Sequence, residues 1–390
     1  MKNSPASAKQ HGYNIDVSKT KTARMLHRLI VNGPATRGQL GSELSMSQAT
    51  ATRLLTPLLQ MGAIQILDGF NADYTIGKPA YRVAIVPDFT AFVGVKITGD
   101  TSYAVVVNLS GKVLDQDEVQ IPDDSVDAVI AILVLQISRL TQHCPISGVG
   151  IGVGGRVVDS RIVASGILEW NDVDFGDKLH EVLGIPVTVS NDVNAFAQAE
   201  AWWGAGRGCN SFVLLCIGSG LGACMVQGGA VVSGEHGSAG MIGHQQITAT
   251  GPRCESGHVG CARAYASSTC ILQNLRENHG IDEDYDTFIG RAASGSQPET
   301  MIADDAVKAV ARLVRSAIAF IDPDAVIVSG DGVRLLEVFE DNFRRLLTQY
   351  RHWNSPPVEV KLQEMQFSFW AKGAAAASME QWTQSGLILG

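Results

Sequence analysis

Three groups of residues in this 390-residue chain have the types and spacing for chemistry. Cys254 and Cys261 flank Gly257 and Gly260 in the stretch CESGHVGC, the outline of a tight zinc knuckle, with Ser256 standing where a third sulfur would complete it. Asn191 and Asp192 close the run IPVTVSNDVNAF, where a carboxylate at a strand end has the position of a general base; the same pair would also serve as an ordinary helix cap. Gly218-Ser219-Gly220, followed by Gly222, and Gly330-Asp331-Gly332 are turns whose backbone amides could approach a phosphate, although glycines also simply permit tight turns.

The elements that must position these residues begin near residue 88. FVGVKITGDTSYAVVVNLSGKVLDQ reads as two β-strands joined by a turn and running toward a third, and DSVDAVIAILVLQISRL as an amphipathic helix. ISGVGIGVGGRVVD and IPVTVSND supply further strands, the second opening a helix. SFVLLCIGSGLGACMVQGGAVV repeats the strand–turn–strand theme, and PDAVIVSGDGVRLL gives a late strand with a glycine turn into a helix. Strands that end in glycine turns, occurring twice with helices between them, predict a duplicated α/β fold with a cleft between two lobes, lined by the polar residues at the strand ends.

The bulk numbers narrow the setting. At 390 residues, two or three domains are expected. The first 22 residues are polar and resemble no signal peptide, and the longest apolar run, Ala128 to Leu135, is far short of the roughly 18 residues a membrane span needs. Seven cysteines at irregular spacing suit reduced thiols and one metal site better than a disulfide framework. A cytoplasmic protein with no membrane partner is the expectation.

The net charge of −9 argues against nucleic acid only until it is divided. Residues 1–82 hold ten Lys and Arg against four acids, a net of +6 that leaves −15 for the rest. A basic head on an acidic body is the asymmetry of a DNA-binding module joined to something else, since phosphate neutralisation supplies most non-specific affinity for DNA.

Local signals in the head agree. KTARMLHRLIVN places Ala23, Leu26, Leu29 and Ile30 on one helical face before Gly33-Pro34 stops it. A second short helix is expected over Arg37–Leu44, and Ser47 caps a third that turns Ala51, Leu54, Leu55 and Leu58 inward. Pro57 should kink or end that third helix, because it removes the hydrogen bond to the Arg53 carbonyl at a cost of about 3 kcal/mol. AIQIL and YRVAIV read as a wing hairpin. The whole is a winged helix-turn-helix, with Arg37, Ser47, Gln48, Thr50, Thr52 and Arg53 set to meet operator DNA and Lys78 near the hairpin placed for the backbone. A three-helix protein-docking module is the alternative.

In the order of its parts the chain resembles the ROK group of repressors and sugar kinases. The resemblance runs from about Lys21 to FWAKGAAAASMEQW and rests on SNDVNAFAQAE, IGSGLGACMVQGG, GMIGHQQI and CESGHVGC in sequence. It implies an α/β fold with an N-terminal winged helix-turn-helix and a two-lobed actin-like (ribonuclease-H-like) body. The expected division is a tail over 1–20, the head over 21–86 and a sugar-sensing domain over 87–390. The lobes of that domain would cover about 87–200 plus the C-terminal helix, and 201–372.

The resemblance also assigns roles. Asp192 matches the kinase base that accepts a proton from a sugar hydroxyl, and Asn191 the residue that holds the sugar. Gly218, Ser219 and Gly220 match the second phosphate loop, and Gly330 the nucleotide loop. Kinases of this type carry Asp-x-Gly-Gly-Thr after the first strand; here the aligned residues are Lys96, Ile97, Thr98, Gly99 and Asp100. A cation in place of the acid and a carboxylate facing the phosphates imply a cradle that does not hold Mg-ATP, so Asp192 becomes a relic base and no ATP is expected.

Met241, three residues before His244, and Arg263, two after Cys261, stand where sugar-binding glutamates would be. That favours a sugar phosphate or sugar acid over a neutral hexose, since guanidinium grips such anions in a bidentate way, unless Arg263 merely pairs with a nearby acid. The family zinc ligands map onto His244, Cys254, Ser256 and Cys261; serine is a poor ligand, and His258 could replace it if the loop rearranged, giving a structural zinc site. The expectation is a sugar-controlled regulator acting as a homodimer or homotetramer on operator DNA. The alternatives are an active sugar kinase with a DNA-binding head and a non-DNA adaptor.

Overall fold

The structure, a computed structural model, describes residues 20–67, 81–363 and 367–385. Its first elements are α1 (Lys21–Asn32), β1 (Ala35–Thr36), α2 (Arg37–Glu43), α3 (Gln48–Gln60), β2 (Ile64–Leu67) and β3 (Arg82–Ile85). Each helix begins at a side chain that accepts from an otherwise unpaired amide. Thr20 accepts from Ala23 N, Thr36 forms a capping box with Gln39, and Ser47 accepts from Thr50 N. Gly33 ends α1 at φ 79°, a left-handed conformation that favours glycine.

The third helix departs from expectation at Pro57. It neither stops nor breaks there but runs on to Gln60. Pro57 lies in the last turn, where only one ladder bond is forfeited, and its own carbonyl accepts from Met61 N at 3.0 Å, closing the helix. β2 and β3 pair antiparallel, and β1 joins the far side of β3. Lys78 lies outside the described residues.

Next come β4 (Ala91–Ile97), β5 (Thr101–Asn108), β6 (Val113–Gln120), α4 (Val126–Leu140), β7 (Ile146–Val153), β8 (Arg156–Val158), β9 (Arg161–Ser165), β10 (Trp170–Val173), α5 (Phe175–Leu183), β11 (Val187–Asn191) and α6 (Asp192–Trp203). The second half holds β12 (Ser211–Ile217), β13 (Leu221–Gln227), β14 (Ala230–Val232), α7 (Ala262–Ala266), α8 (Ser268–His279), α9 (Tyr285–Ala293), α10 (Glu299–Ile321), β15 (Ala325–Ser329), α11 (Val333–Val338), α12 (Glu340–Gln349), β16 (Glu359–Gln363) and α13 (Phe367–Gln384).

Two five-stranded sheets carry the duplication. One has the order β11-β7-β4-β5-β6 and the other β14-β13-β12-β15-β16. Numbered by chain position within each sheet, both read 3-2-1-4-5: an antiparallel meander of the first three strands, with the last two added in parallel beside the first. The parallel additions need crossover helices, which α4 and α5 provide in the first sheet and α10 and then α11–α12 in the second. A small sheet, β8-β9-β10, is inserted after β7.

The run AKGAAAAS near the C-terminus finds its reason in α13. A Cβ added at Gly94 of β4 would lie 1.9 Å from the Ala371 carbonyl oxygen, and one at Gly150 of β7 would lie 1.8 Å from that of Ala374. Helix backbone therefore rests almost on sheet backbone, which only glycine facing alanine permits. Gly373 likewise lets α13 approach Ala195 of α6.

One apolar core joins α1–α3 to the body: Leu26, Leu29 and Leu58 belong to the same cluster as Phe92, Trp202, Met379 and Trp382. His27 of α1 meets Trp202, in the last turn of α6, edge to face at 5.2 Å. Among the described residues no helix is long and apolar enough to cross a membrane.

Candidate ligand cleft and metal cluster

Asn191 ends β11 and caps α6, its Oδ1 accepting from Asn194 N at 3.1 Å while its Nδ2 donates to the Gly155 carbonyl at 2.8 Å. Asp192 is the first residue of α6, where the helix dipole favours a carboxylate. One of its oxygens accepts from Val193 N at 2.9 Å. The other is ion-paired with Nζ of Lys96, and both side chains are largely buried, 6% and 12% exposed for the lysine and the aspartate. Lys96 is also 5.5 Å from the Trp370 ring centroid. The pair forms because β4 and β11 flank β7 in parallel, so the ends of all three strands converge. Gly152 and Gly154 keep the space beside Asp192 open: a Cβ at Gly154 would lie 3.5 Å from Asp192 Oδ2 and 3.0 Å from Ile167 Cδ1.

Gly99 lies in the β4–β5 turn, which is closed on itself. The Thr98 amide donates to the Thr101 carbonyl at 2.9 Å, the Thr101 amide to Thr98 Oγ1 at 3.0 Å, and both threonine hydroxyls reach Asp100 Oδ1. The corresponding β12–β13 turn is Gly218-Ser219-Gly220, with Gly218 N donating to the Gly220 carbonyl at 2.9 Å. Gly330 and Gly332 lie against the end of β12, and Asp331 faces Gly218. Burial raises the Asp331 carboxyl above the usual carboxylate range.

Met241 is exposed, immediately before the 3₁₀ turn Ile242–His244. Arg263, on α7, is ion-paired with Glu255 and reaches toward Gly220, where an added Cβ would meet Nη1 at 3.0 Å. Arg263 thus has a neighbouring acid as its partner, and sequence spacing does not single out Glu255. Burial pushes the Glu255 carboxyl up, but its backbone hydrogen bond and Arg263 outweigh that and hold it below the ordinary value.

His244, Cys254 and Cys261 lie together, their donor atoms all within 4.8 Å of one another. His258 is with them: its Nδ1 is 3.7 Å from Cys254 Sγ and 3.1 Å from His244 Nδ1. Gly257 N donates to the Cys254 carbonyl and Cys254 N to that of His258, so the chain folds back within five residues, with Gly257 at φ 84°. Gly260, at φ 65°, packs its Cα against the Thr248 carbonyl, and Gln246 bridges Cys261, which holds His244 beside the knuckle. Burial, with His258 and Arg263 nearby, lowers the His244 pKa, and burial raises the Cys261 thiol. Ser256 is exposed.

A cavity of about 540 Å³ lined by Arg156, Asp159, Arg161, Asp174, Glu235 and His236 also lies along the β8–β9 hairpin. None of its lining residues belongs to the motifs above. Its charges come from three separate stretches of chain, so no local pattern marks it.

In the head, Gln48 and Arg53 are exposed on α3, with Thr50 and Thr52 half-buried. Ser47 is used as the cap, and Arg37 lies over the Tyr81 ring at 4.6 Å, its Nη1 3.4 Å from Thr52 Oγ1. Among the described basic residues of the head, three turn inward: Arg24 to the Leu44 carbonyl, Arg28 to Glu43 at 2.5 Å, and Arg82 to the Pro34 carbonyl. The positive surface is smaller than the count suggests.

Two five-stranded sheets of one topology define an actin-like α/β fold. The ROK family profile matches residues 92–378, and the chain belongs to that family. It is 31% identical over 279 residues to a glucokinase of Thermotoga maritima, covering 66% of this chain and 87% of that one. It is 23% identical over 337 residues to the DNA-binding transcriptional dual regulator NagC of Escherichia coli, covering 82% of each. Among solved structures, a ROK family transcriptional regulator described as a homologue of the E. coli MLC protein superposes with a TM-score of 0.80 at 22% identity, over 96% of this chain and 98% of that one.

Proposed function

We propose that this chain is a sugar-responsive, DNA-binding transcriptional regulator, a repressor of carbohydrate-related genes, whose kinase-derived cleft senses a ligand without phosphorylating it. Residues 21–86 serve as a winged helix-turn-helix and 87–390 as the sensing body, in a cytoplasmic homo-oligomer. The observation that carries the reading is the buried Lys96–Asp192 ion pair. The Lys96 ammonium occupies the Asp192 oxygen that a sugar hydroxyl would otherwise meet, and it stands at the strand end where the family's kinases bring an acid to magnesium. The self-bonded amides of the β4–β5 turn support the same reading, as does the likeness to NagC along most of the chain.

Coupling to the head follows α6. Its first residue, Asp192, carries the ion pair with Lys96, and Trp202, in its last turn, touches α1; twelve residues span about 18 Å. A ligand that binds better when Asp192 has shifted would bias the position of α1, provided its affinity differs between the two states. Because Arg263 is already paired with Glu255, a sugar phosphate or sugar acid must displace that carboxylate, whereas a neutral sugar need not.

The 31% identity to a glucokinase favours a second reading, an active sugar kinase carrying a DNA-binding head. A gel-shift assay on the DNA upstream of the chain's own gene, with and without members of a panel of sugars, sugar phosphates and sugar acids, tests the first. A retarded band released by one member is expected. Replacing Arg53 with alanine should weaken retardation by about 1–3 kcal/mol; binding unaffected by that change would remove α3 as the recognition helix.

A further inference from the structure

We propose that His258 replaces the missing third cysteine and completes a tetrahedral Cys2His2 zinc centre with His244, Cys254 and Cys261. The geometry carries this. With Zn–S near 2.3 Å and Zn–N near 2.0–2.1 Å, a tetrahedral site has edges of about 3.6 Å between sulfur and nitrogen and about 3.3 Å between nitrogens. Cys254 Sγ lies 3.6 Å from His244 Nδ1 and 3.7 Å from His258 Nδ1, and the two Nδ1 atoms are 3.1 Å apart. Cys261 Sγ lies within 4.8 Å of the Cys254 and His244 donor atoms; His258 stands just outside that group of three, so its ring would have to turn toward Cys261 to share the ion. Those spacings match a shared ion more closely than a set of hydrogen bonds, because thiols are weak donors and two facing Nδ1 atoms share at most one proton. Ser256 contributes nothing of the kind, since its hydroxyl is neutral and exposed.

The centre differs in charge from a three-cysteine one. Two thiolates and two neutral imidazoles balance Zn²⁺, where three thiolates and one imidazole leave a negative charge. The knuckle is therefore electrically neutral beside the Arg263–Glu255 pair. The ion would brace the turn that follows Met241, through His244, to the start of α7, which carries Arg263.

The test uses the full-length chain without an affinity tag. Metal content is measured by atomic emission, affinity by competition with a chromophoric chelator, and ligand set from the absorption of the Co²⁺-substituted protein. One zinc per chain and a two-thiolate cobalt spectrum are expected. His258→Ala should lower zinc affinity more than about 100-fold, beyond what loss of an outer-shell partner costs, while Ser256→Ala should leave it unchanged. The double variant Ser256→Cys with His258→Ala should recover tight binding with a third thiolate in the cobalt spectrum, and it also guards against misfolding of the single variant. Protein without metal that takes up none on titration, or a His258→Ala chain with unaltered affinity and cobalt spectrum, would overturn the proposal.

Discussion

The β4–β5 and β12–β13 hairpins occupy the same place in two sheets of the same strand order, and their turns have gone different ways. In the second, Gly218-Ser219-Gly220 remains a short glycine turn against Gly330 and Gly332. In the first, Thr98, Asp100 and Thr101 have filled the space with their own hydrogen bonds, and Lys96 just before it has turned to Asp192. A duplicated fold thus supplies its own control: what is backbone-driven persists in both halves, and what served a ligand differs. Under the proposed function the first half has exchanged a phosphate cradle for an internal ion pair, while in the second Gly330 leaves no room for a Cβ against the Ile217 carbonyl.

The largest expected effect is at the ion pair. Lys96→Ala leaves Asp192 buried without its cation and should cost about 3–5 kcal/mol in urea denaturation. A loss below about 1 kcal/mol would mean that the pair behaves as a solvated surface contact. Next comes Gly330, at φ 101° with the Ile217 carbonyl oxygen 2.2 Å from where a Cβ would sit; Gly330→Ala should cost at least about 1–3 kcal/mol by the same measurement. The smallest effect sharpens the contrast. Gly99 in the first turn has no such neighbour, its closest being Ile167 Cγ2 at 3.4 Å, and Gly99→Ala should stay within about 0.5 kcal/mol of the parent. If Gly99→Ala proved as costly as Gly330→Ala, the first turn would still be under the constraint of a backbone cradle.

Local signals made much of the fold legible. Ser47 as a cap, Gly33 as a stop, and the alternation of strand and glycine turn act over a few residues, and the structure has them where sequence places them. Pro57 misled because the penalty of proline depends on how much helix follows it, and here only three residues do. Partnerships across the sheets were not legible. Lys96 aligns with the acid of a phosphate loop, yet its partner is 96 residues away, brought close by the placement of β7 between β4 and β11. The inward turn of Arg24, Arg28 and Arg82 was hidden for the same reason, since charge counted along a chain does not say which cations cap carbonyls. His258 lay in plain view within CESGHVGC, but only the fold-back at Gly257 places its ring beside Cys254 and His244.

Under the proposed function the protein recognises a sugar-class ligand without transferring phosphate to it. A coupled ADP-release assay with Mg-ATP across hexoses, pentoses and amino sugars tests this most directly. ADP production no faster in the presence of any sugar than in its absence is the predicted result; sustained, sugar-dependent turnover would contradict the account.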